Sequence, residues 1–329
     1  MSNESHRLTR RSMLATIGTA TLLPVILKPA KVFATTAEVT PTTTLPLWPG
    51  PPPGDGGPSG PVVENARGAI SNIAVPSMEV FIPKTPNGIA MLVAGGGGYR
   101  RMSMRNEAHP AARWLNDRGI TAFVLSYRLP GEGWSGGPLA PLQDAQRAIR
   151  LIRANAERFA IRPDHVGVLG FSAGGHLMGL AATRSAFESY SPVDSADTQS
   201  ARADFAALIY PVITLKPPYN NTSTRRMLVG RHPSAALSAG WSVEDHVKPR
   251  CPPMFLVQAK DDPISNSENT VIMQQACEKA GIPVELHQLP SGGHGFGMGR
   301  PGRASAEWPN WFAPWLERTN PAIALSVDQ

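Results

Sequence analysis

The sequence predicts an α/β protein: a mainly parallel β-sheet with helices on both faces. Three observations carry that prediction. First, apolar strand-like runs alternate with helical patterns from Ile89 onward, an order that requires parallel strands joined by helical crossovers. Second, three conspicuous loops, at Gly95, Ser172 and His294, each follow such a run. In a parallel sheet they leave on the same edge, where sites form. Third, the apolar run Val166–Leu169 stops at Gly170, and a small-residue helix pattern begins at Ala173. The join, Gly170-Phe171-Ser172-Ala173-Gly174, fits G-x-S-x-G, a tight strand-to-helix turn that holds a serine above the sheet.

The 329 residues suffice for one large α/β domain or two small ones, with 42% hydrophobic and 17% charged residues. No internal repeat and no second domain are visible. The formal net charge is +6. Residues 1–34 hold Arg7, Arg10, Arg11, Lys28 and Lys31 against Glu4, so four of the six charges sit there. The remainder has no basic stripe suited to nucleic acid.

Residues 1–34 read as an export signal. Thr9-Arg10-Arg11-Ser12-Met13-Leu14 is a paired-arginine segment running into the apolar stretch Met13–Leu27. That stretch is too short to span a bilayer comfortably and contains Pro24. Val32-Phe33-Ala34 offers a small-residue cleavage site. The paired arginines resemble the twin-arginine signal, which implies the twin-arginine export machinery as a partner. The mature protein would be periplasmic or secreted, with no stable membrane span after cleavage. An ordinary secretory signal or an uncleaved anchor is the alternative.

Residues 35–60 form a lead-in rich in Thr, Pro and Gly, and Pro49–Gly54 excludes helix and central strand. The folded domain is expected over 61–319, with a tail at 320–329. Met78–Pro83 and Ile89–Ala94 read as strands joined by a turn at Pro86-Asn87-Gly88. The second enters Gly95-Gly96-Gly97-Gly98-Tyr99. His109–Arg118 is helical, with Pro110 in its first turn and Gly119 as its stop. Ile120–Ser126 is a strand. Leu142–Phe159 is an amphipathic helix with Ala145, Ala148, Ile149, Ile152 and Ala156 on one face.

After the serine turn and its helix comes the strand Ala206–Val212. Thr214–Arg250 has several prolines and little periodicity, as an excursion over the site-bearing edge would. Met254–Ala259 is a strand, Glu268–Ala280 a helix stopped by Gly281, and Val284–Leu289 the last strand. Ala304–Leu316 is a final helix interrupted by Pro309 and Pro314. Its Trp308, Trp311 and Trp315 share one face, expected to dock the helix. Cys251 and Cys277 are expected to be free buried thiols rather than a bridge, and no Cys/His spacing fits zinc.

A serine hydroxyl is a poor nucleophile at neutral pH and needs a base oriented by a third group. Of eight histidines, only His294 lies in a glycine-rich loop after the last strand. His176, one turn after Ser172, is expected to be structural. The acid should follow the preceding strand, where Asp261-Asp262-Pro263 stands. Asp262 is preferred because the chain turns at Pro263, with Asp261 as the fallback. The chain order is then Ser172, Asp262, His294, that of α/β-hydrolases. The oxyanion of a tetrahedral intermediate needs N–H donors already in place. The N–H of Ala173 and those of Gly97 and Gly98 are the candidates. A phosphate loop would want Lys-Ser or Lys-Thr after the glycines, whereas Tyr99-Arg100-Arg101 follows.

The chain resembles α/β-hydrolase esterases of the acetyl xylan esterase and carbohydrate acetyl esterase type. The matching segments include Leu47-Trp48-Pro49-Gly50, Gly96-Gly97-Gly98-Tyr99, Ala122–Leu129 and Pro141–Ala148. Gly170–Leu177, Asp261-Asp262-Pro263 and Gly292–Gly297 complete the set. The resemblance implies Ser172 as nucleophile, Asp262 as acid and His294 as base. It implies acetyl and other small acyl esters on plant-type polysaccharide as substrates. The sequence departs from the family pattern at Gly95 and at Ser265-Asn266. The mechanism requires no metal or cofactor. Tyr99 and Trp134 are placed at the substrate pocket, with a core position as the alternative for each. Other functional readings are a general carboxylesterase, a feruloyl-type esterase, or a non-catalytic carbohydrate-binding protein on this scaffold.

Overall fold

The computed structural model describes residues 41–320. The export signal and all of the tail after Asn320 lie outside the described residues. One eight-stranded sheet organises the rest. Its strands are β1 (Thr43–Pro46), β2 (Ser77–Phe81), β3 (Ala90–Ala94), β4 (Thr121–Ser126), β5 (Val166–Phe171), β6 (Ala206–Ile209), β7 (Met254–Ala259) and β8 (Val284–Leu289). They lie in the order β1-β2-β4-β3-β5-β6-β7-β8. β1 and β2 pair antiparallel, as do β2 and β4. All other pairs are parallel.

The sequence explains why the middle of this sheet is interior. β3 reads Ala-Met-Leu-Val-Ala and β7 reads Met-Phe-Leu-Val-Gln-Ala, and every residue of both is buried. Successive side chains point to opposite faces, so both faces are covered. The helices are α1 (His109–Asn116), α2 (Leu139–Ala154), α3 (Ala173–Thr183), α4 (Ser223–Val229), α5 (Ala235–Gly240), α6 (Glu268–Lys279) and α7 (Trp308–Thr319), and α1, α2, α3, α6 and α7 pack against the sheet. β8, Val-Glu-Leu-His-Gln-Leu, is only half-buried because it is an edge.

The strand order reverses at β3, which lies between β4 and β5. Ala94 pairs with Gly170, so the Gly95 loop and the serine turn are neighbours. Ala259 pairs with Leu289, which brings the Asp261-Asp262 loop beside the His294 loop. This is the edge at which open α/β sheets bind ligands.

Several elements differ from expectation. The sheet begins inside the segment read as a lead-in. Thr43–Pro46 forms β1, and Leu47 and Trp48 behind it are 0% and 5% exposed. A small antiparallel sheet of Val63–Glu64, Ala69–Ser71 and Met102–Ser103 was not foreseen. Two or three residues are too few to show a periodicity. α2 starts one turn early and ends at Ala154, where the chain enters turns as far as Ala160. β6 stops at Ile209 because Tyr210 takes φ +38° and breaks the strand. The 214–250 segment contains two short helices, α4 and α5.

The last helix is a short 3₁₀ turn, Ala304–Glu307, followed by α7. Pro309 falls in the first turn of α7, where its missing N–H costs nothing. Trp308 and Trp315 are buried, and Trp311 stacks on His287 with centroids 4.5 Å apart. The tryptophan face docks the helix. Both cysteines are free; Cys277 is buried and Cys251 half-buried.

Candidate active site

The serine turn takes its shape from close packing. Ser172 adopts φ +53° and ψ −116°, outside the regions open to most L-residues. The flanking glycines are needed because the start of α3 lies hard against the ends of β5 and β3. A Cβ at Gly170 would collide with the carbonyl of Gly174, and one at Gly174 with the carbonyl of Ala94. The serine N–H donates to the Ile209 carbonyl at 3.0 Å, which fixes the turn to β6.

His294 and Asp262 complete a hydrogen-bonded chain with Ser172. His294 Nδ1 lies 2.7 Å from Asp262 Oδ2, and Nε2 lies 2.8 Å from Ser172 Oγ. The carboxylate accepts at Nδ1, so Nδ1 carries the proton and Nε2 is left to accept from the serine hydroxyl. Asp262 is itself held by four donors. Its Oδ1 accepts the Ile264 and Ser265 N–H groups, and its Oδ2 also accepts from Gln258 Nε2 at 2.8 Å. These bonds fix the carboxylate plane.

Asp261 does something different. Its Oδ1 accepts the N–H groups of Gly292 and Gly293, both at 2.8 Å. The two adjacent aspartates therefore divide the work: one meets the imidazole, and the other anchors the loop that carries it. Ser265, one of the departures from the family pattern, donates its hydroxyl to the Pro211 carbonyl at 2.6 Å and so shapes the Asp262 loop. Gly95, the other, leaves space filled by the Ser103 carbonyl, 2.7 Å from where a Cβ would stand.

The N–H groups of Gly97, Gly98 and Ala173 have no protein acceptor among the described residues. The Gly97 carbonyl accepts from Arg100 N–H, and the Gly98 carbonyl from the Ser223 hydroxyl. Gly97 and Gly98 take φ +129° and +65°. Gly96 is unlike them, because its N–H is already bound to Glu107 at 2.6 Å. Ser223 begins α4, so the 214–250 excursion packs against this loop.

Tyr99 and Trp134 are core positions, which corrects their placement at the pocket. Tyr99 is 0% exposed and its hydroxyl bonds to His176 Nδ1 at 3.0 Å. Trp134 is buried against Gly57 and under the Arg128 guanidinium, 5.2 Å from its ring centroid. Both are large aromatics in loops, a setting in which sequence alone does not separate a pocket wall from the core. His176 has the structural role expected. Its Nε2 donates to the Trp241 carbonyl at 2.8 Å, and burial pushes its pKa down to about 4.

Sequence reasoning missed Glu107 and Tyr210. Glu107 lies in a single π-helical turn, Met104–Ala108, just before α1. Nothing in its local pattern marks it as buried. Among the described residues no cluster of three or more His, Cys, Asp or Glu side chains is arranged to hold a metal.

The family model named BD-FAE matches residues 78–277. The chain belongs to the BD-FAE family. An acetylxylan esterase of Xylanibacter ruminicola is 32% identical to this BD-FAE chain over 234 residues, 70% of this chain and 45% of that protein. Endo-1,4-beta-xylanase B of Butyrivibrio fibrisolvens is 36% identical over 207 residues, 62% of this chain and 32% of that protein. The chain thus spans less than half the length of these relatives. Among solved structures, the acetyl ester-xyloside bifunctional hydrolase of Caldicellulosiruptor lactoaceticus superposes with TM-score 0.71 at 33% identity. That match covers 87% of this chain and 99% of the other. Esterase 2 of Thermogutta terrifontis shares the fold, with TM-score 0.64 at 22% identity over 81% of this chain and 96% of the other. The fold is that of the α/β-hydrolases.

Proposed function

We propose that this BD-FAE chain is an exported serine esterase. It removes small acyl groups, acetyl above all, from xylan-type polysaccharide or oligosaccharide. The carrying observation is the Asp262–His294–Ser172 hydrogen-bonded chain, together with the Gly97, Gly98 and Ala173 N–H groups that have no acceptor among the described residues. The names of the acetylxylan esterase and acetyl ester-xyloside hydrolase relatives support the acyl and sugar assignment. The paired-arginine segment supports export.

The steps follow from the geometry. Ser172 Oγ attacks the ester carbonyl carbon while His294 Nε2 takes its proton. Asp262 stabilises the imidazolium that forms. The N–H groups of Gly97, Gly98 and Ala173 receive the oxyanion, each worth about 3 kcal/mol of barrier. His294 returns the proton to the departing sugar oxygen as the C–O bond breaks, leaving an acyl-serine. Water, deprotonated by His294, attacks that ester, and collapse releases the acid and restores the serine.

Acetate release from acetylated xylan tests the reading, with p-nitrophenyl acetate and butyrate alongside and Ser172→Ala as control. Release from xylan that vanishes in the variant is expected. Activity on nitrophenyl esters alone would keep the esterase and move the substrate to small esters. Folded protein with no Ser172-dependent activity on any of them would overturn the proposal.

A further inference from the structure

Glu107 is 6% exposed, and both carboxylate oxygens are bonded. Oε2 accepts the Gly96 N–H at 2.6 Å, and Oε1 accepts the Tyr210 hydroxyl at 2.9 Å. The Tyr210 oxygen in turn accepts the Gly297 N–H at 2.9 Å. Because that N–H can only donate, the tyrosine proton is directed at Glu107, and the ionised carboxylate satisfies every hydrogen in the series. No lysine or arginine bonds to Glu107 among the described residues. A buried carboxylate without a cation is costly, so its presence calls for a reason.

The reason lies in what the series connects. Gly96 immediately precedes the Gly97 and Gly98 donors, and a Cβ there would stand 2.7 Å from the Ser172 Cβ. Gly297 closes the loop that carries His294. The Tyr210 ring packs edge-on against His294 and Phe296, with centroids 4.9 and 4.4 Å apart. One carboxylate thus ties the loop after β3 to the loop after β8, across the two sides of Ser172. Burial raises the Glu107 pKa, and the Gly96 and Tyr210 hydrogen bonds and the charge on His294 oppose that rise.

We propose that Glu107 is a positioning residue for the esterase reaction, with Tyr210 as its relay. Together they lock the oxyanion turn and the histidine loop in register around Ser172. The proposal rests on the serine esterase reading, and the Ser172→Ala control separates the two. Without Ser172-dependent hydrolysis by the wild-type chain, both fall.

Glu107→Gln keeps the side-chain shape but removes the charge and one acceptor. Tyr210→Phe keeps the ring and removes the relay. Each is to be assayed on p-nitrophenyl acetate, with melting temperature and circular dichroism to establish folding. The expected result is a fall in kcat of about tenfold or more with KM within about twofold of wild type, the signature of lost transition-state alignment. Phosphonylation of Ser172 by a fluorophosphonate should slow by a similar factor, since it uses the same base and the same oxyanion donors. The double variant should be no slower than the worse single one, because both cut one series. Folded Glu107→Gln with kcat within twofold of wild type would overturn the proposal. So would a defect confined to KM, or losses that multiply in the double variant. If Glu107→Gln does not fold, Tyr210→Phe decides by the same kcat, KM and phosphonylation criteria.

Discussion

Asp261 and Asp262 are neighbours in sequence with different tasks, and the difference is measurable. Asp262 bonds to the imidazole, while among the described residues the Asp261 side chain bonds to the backbone of Gly292 and Gly293. Asp262→Asn should leave the fold intact and lower kcat by about 10²–10⁴, because an amide in that place favours the wrong imidazole tautomer. Asp261→Asn retains an acceptor for the two glycine N–H groups and should cost about tenfold or less. Steady-state rates on p-nitrophenyl acetate would distinguish them, and a reversed order would exchange their roles. From the sequence, Asp262 is favoured only by the turn at Pro263. The structure adds the four bonds that aim its carboxylate.

At the scale of elements, α3 is clamped at its start as well as packed along its length. His176 links it to Tyr99, behind the Gly95–Gly98 loop, and to the Trp241 carbonyl. The imidazole is held neutral, with its pKa lowered from 6.5 to about 4 by burial. Between those values the unfolded chain binds the proton that the folded chain excludes, so stability falls as pH falls. The loss begins near pH 6.5, is complete near pH 4, and amounts to about 3 kcal/mol for this group alone. His176→Asn should flatten that part of the pH profile of urea unfolding, relative to wild type. An unchanged slope between pH 6.5 and 4 would show that His176 is not its source. The existence of α3 is legible from Ala173 onward, since small residues follow a strand and a glycine. Its clamp is not, because Tyr99 and Trp241 lie 77 and 65 residues away from His176.

At the scale of the whole molecule, buried ion pairs help tie residues 47–53 into the domain, and the Arg128–Asp144 pair is the most deeply enclosed. Arg128 and Asp144 side chains are both 0% exposed and meet at 2.9 Å. Asp144 also accepts from Trp48 Nε1 at 2.9 Å, and Arg128 donates to the Pro53 carbonyl at 2.6 Å. Residues 48–53, read from the sequence as a lead-in, are therefore anchored through a charge pair inside the domain. Asp144→Ala would leave the guanidinium buried without its partner, at a cost of about 3–5 kcal/mol. Denaturant unfolding should show that loss, while Asp144→Ala with Arg128→Met should recover part of it. A loss below about 1 kcal/mol in the single variant would mean that water reaches the site.

The sequence by itself determined the strand and helix alternation, the serine turn and the histidine loop. Those signals are local: apolar runs, glycine spacing and a strand-to-helix corner are written in consecutive residues. Tertiary structure alone decided that Thr43–Pro46 joins the sheet and that Tyr99 and Trp134 are interior. It alone brought Glu107, Tyr210 and Gly297 into one series. Each of those facts depends on which distant segment supplies a partner for a backbone group, a ring or a buried charge. Burial and hydrogen-bond satisfaction are settled by the whole packed chain, and no short window of sequence contains them.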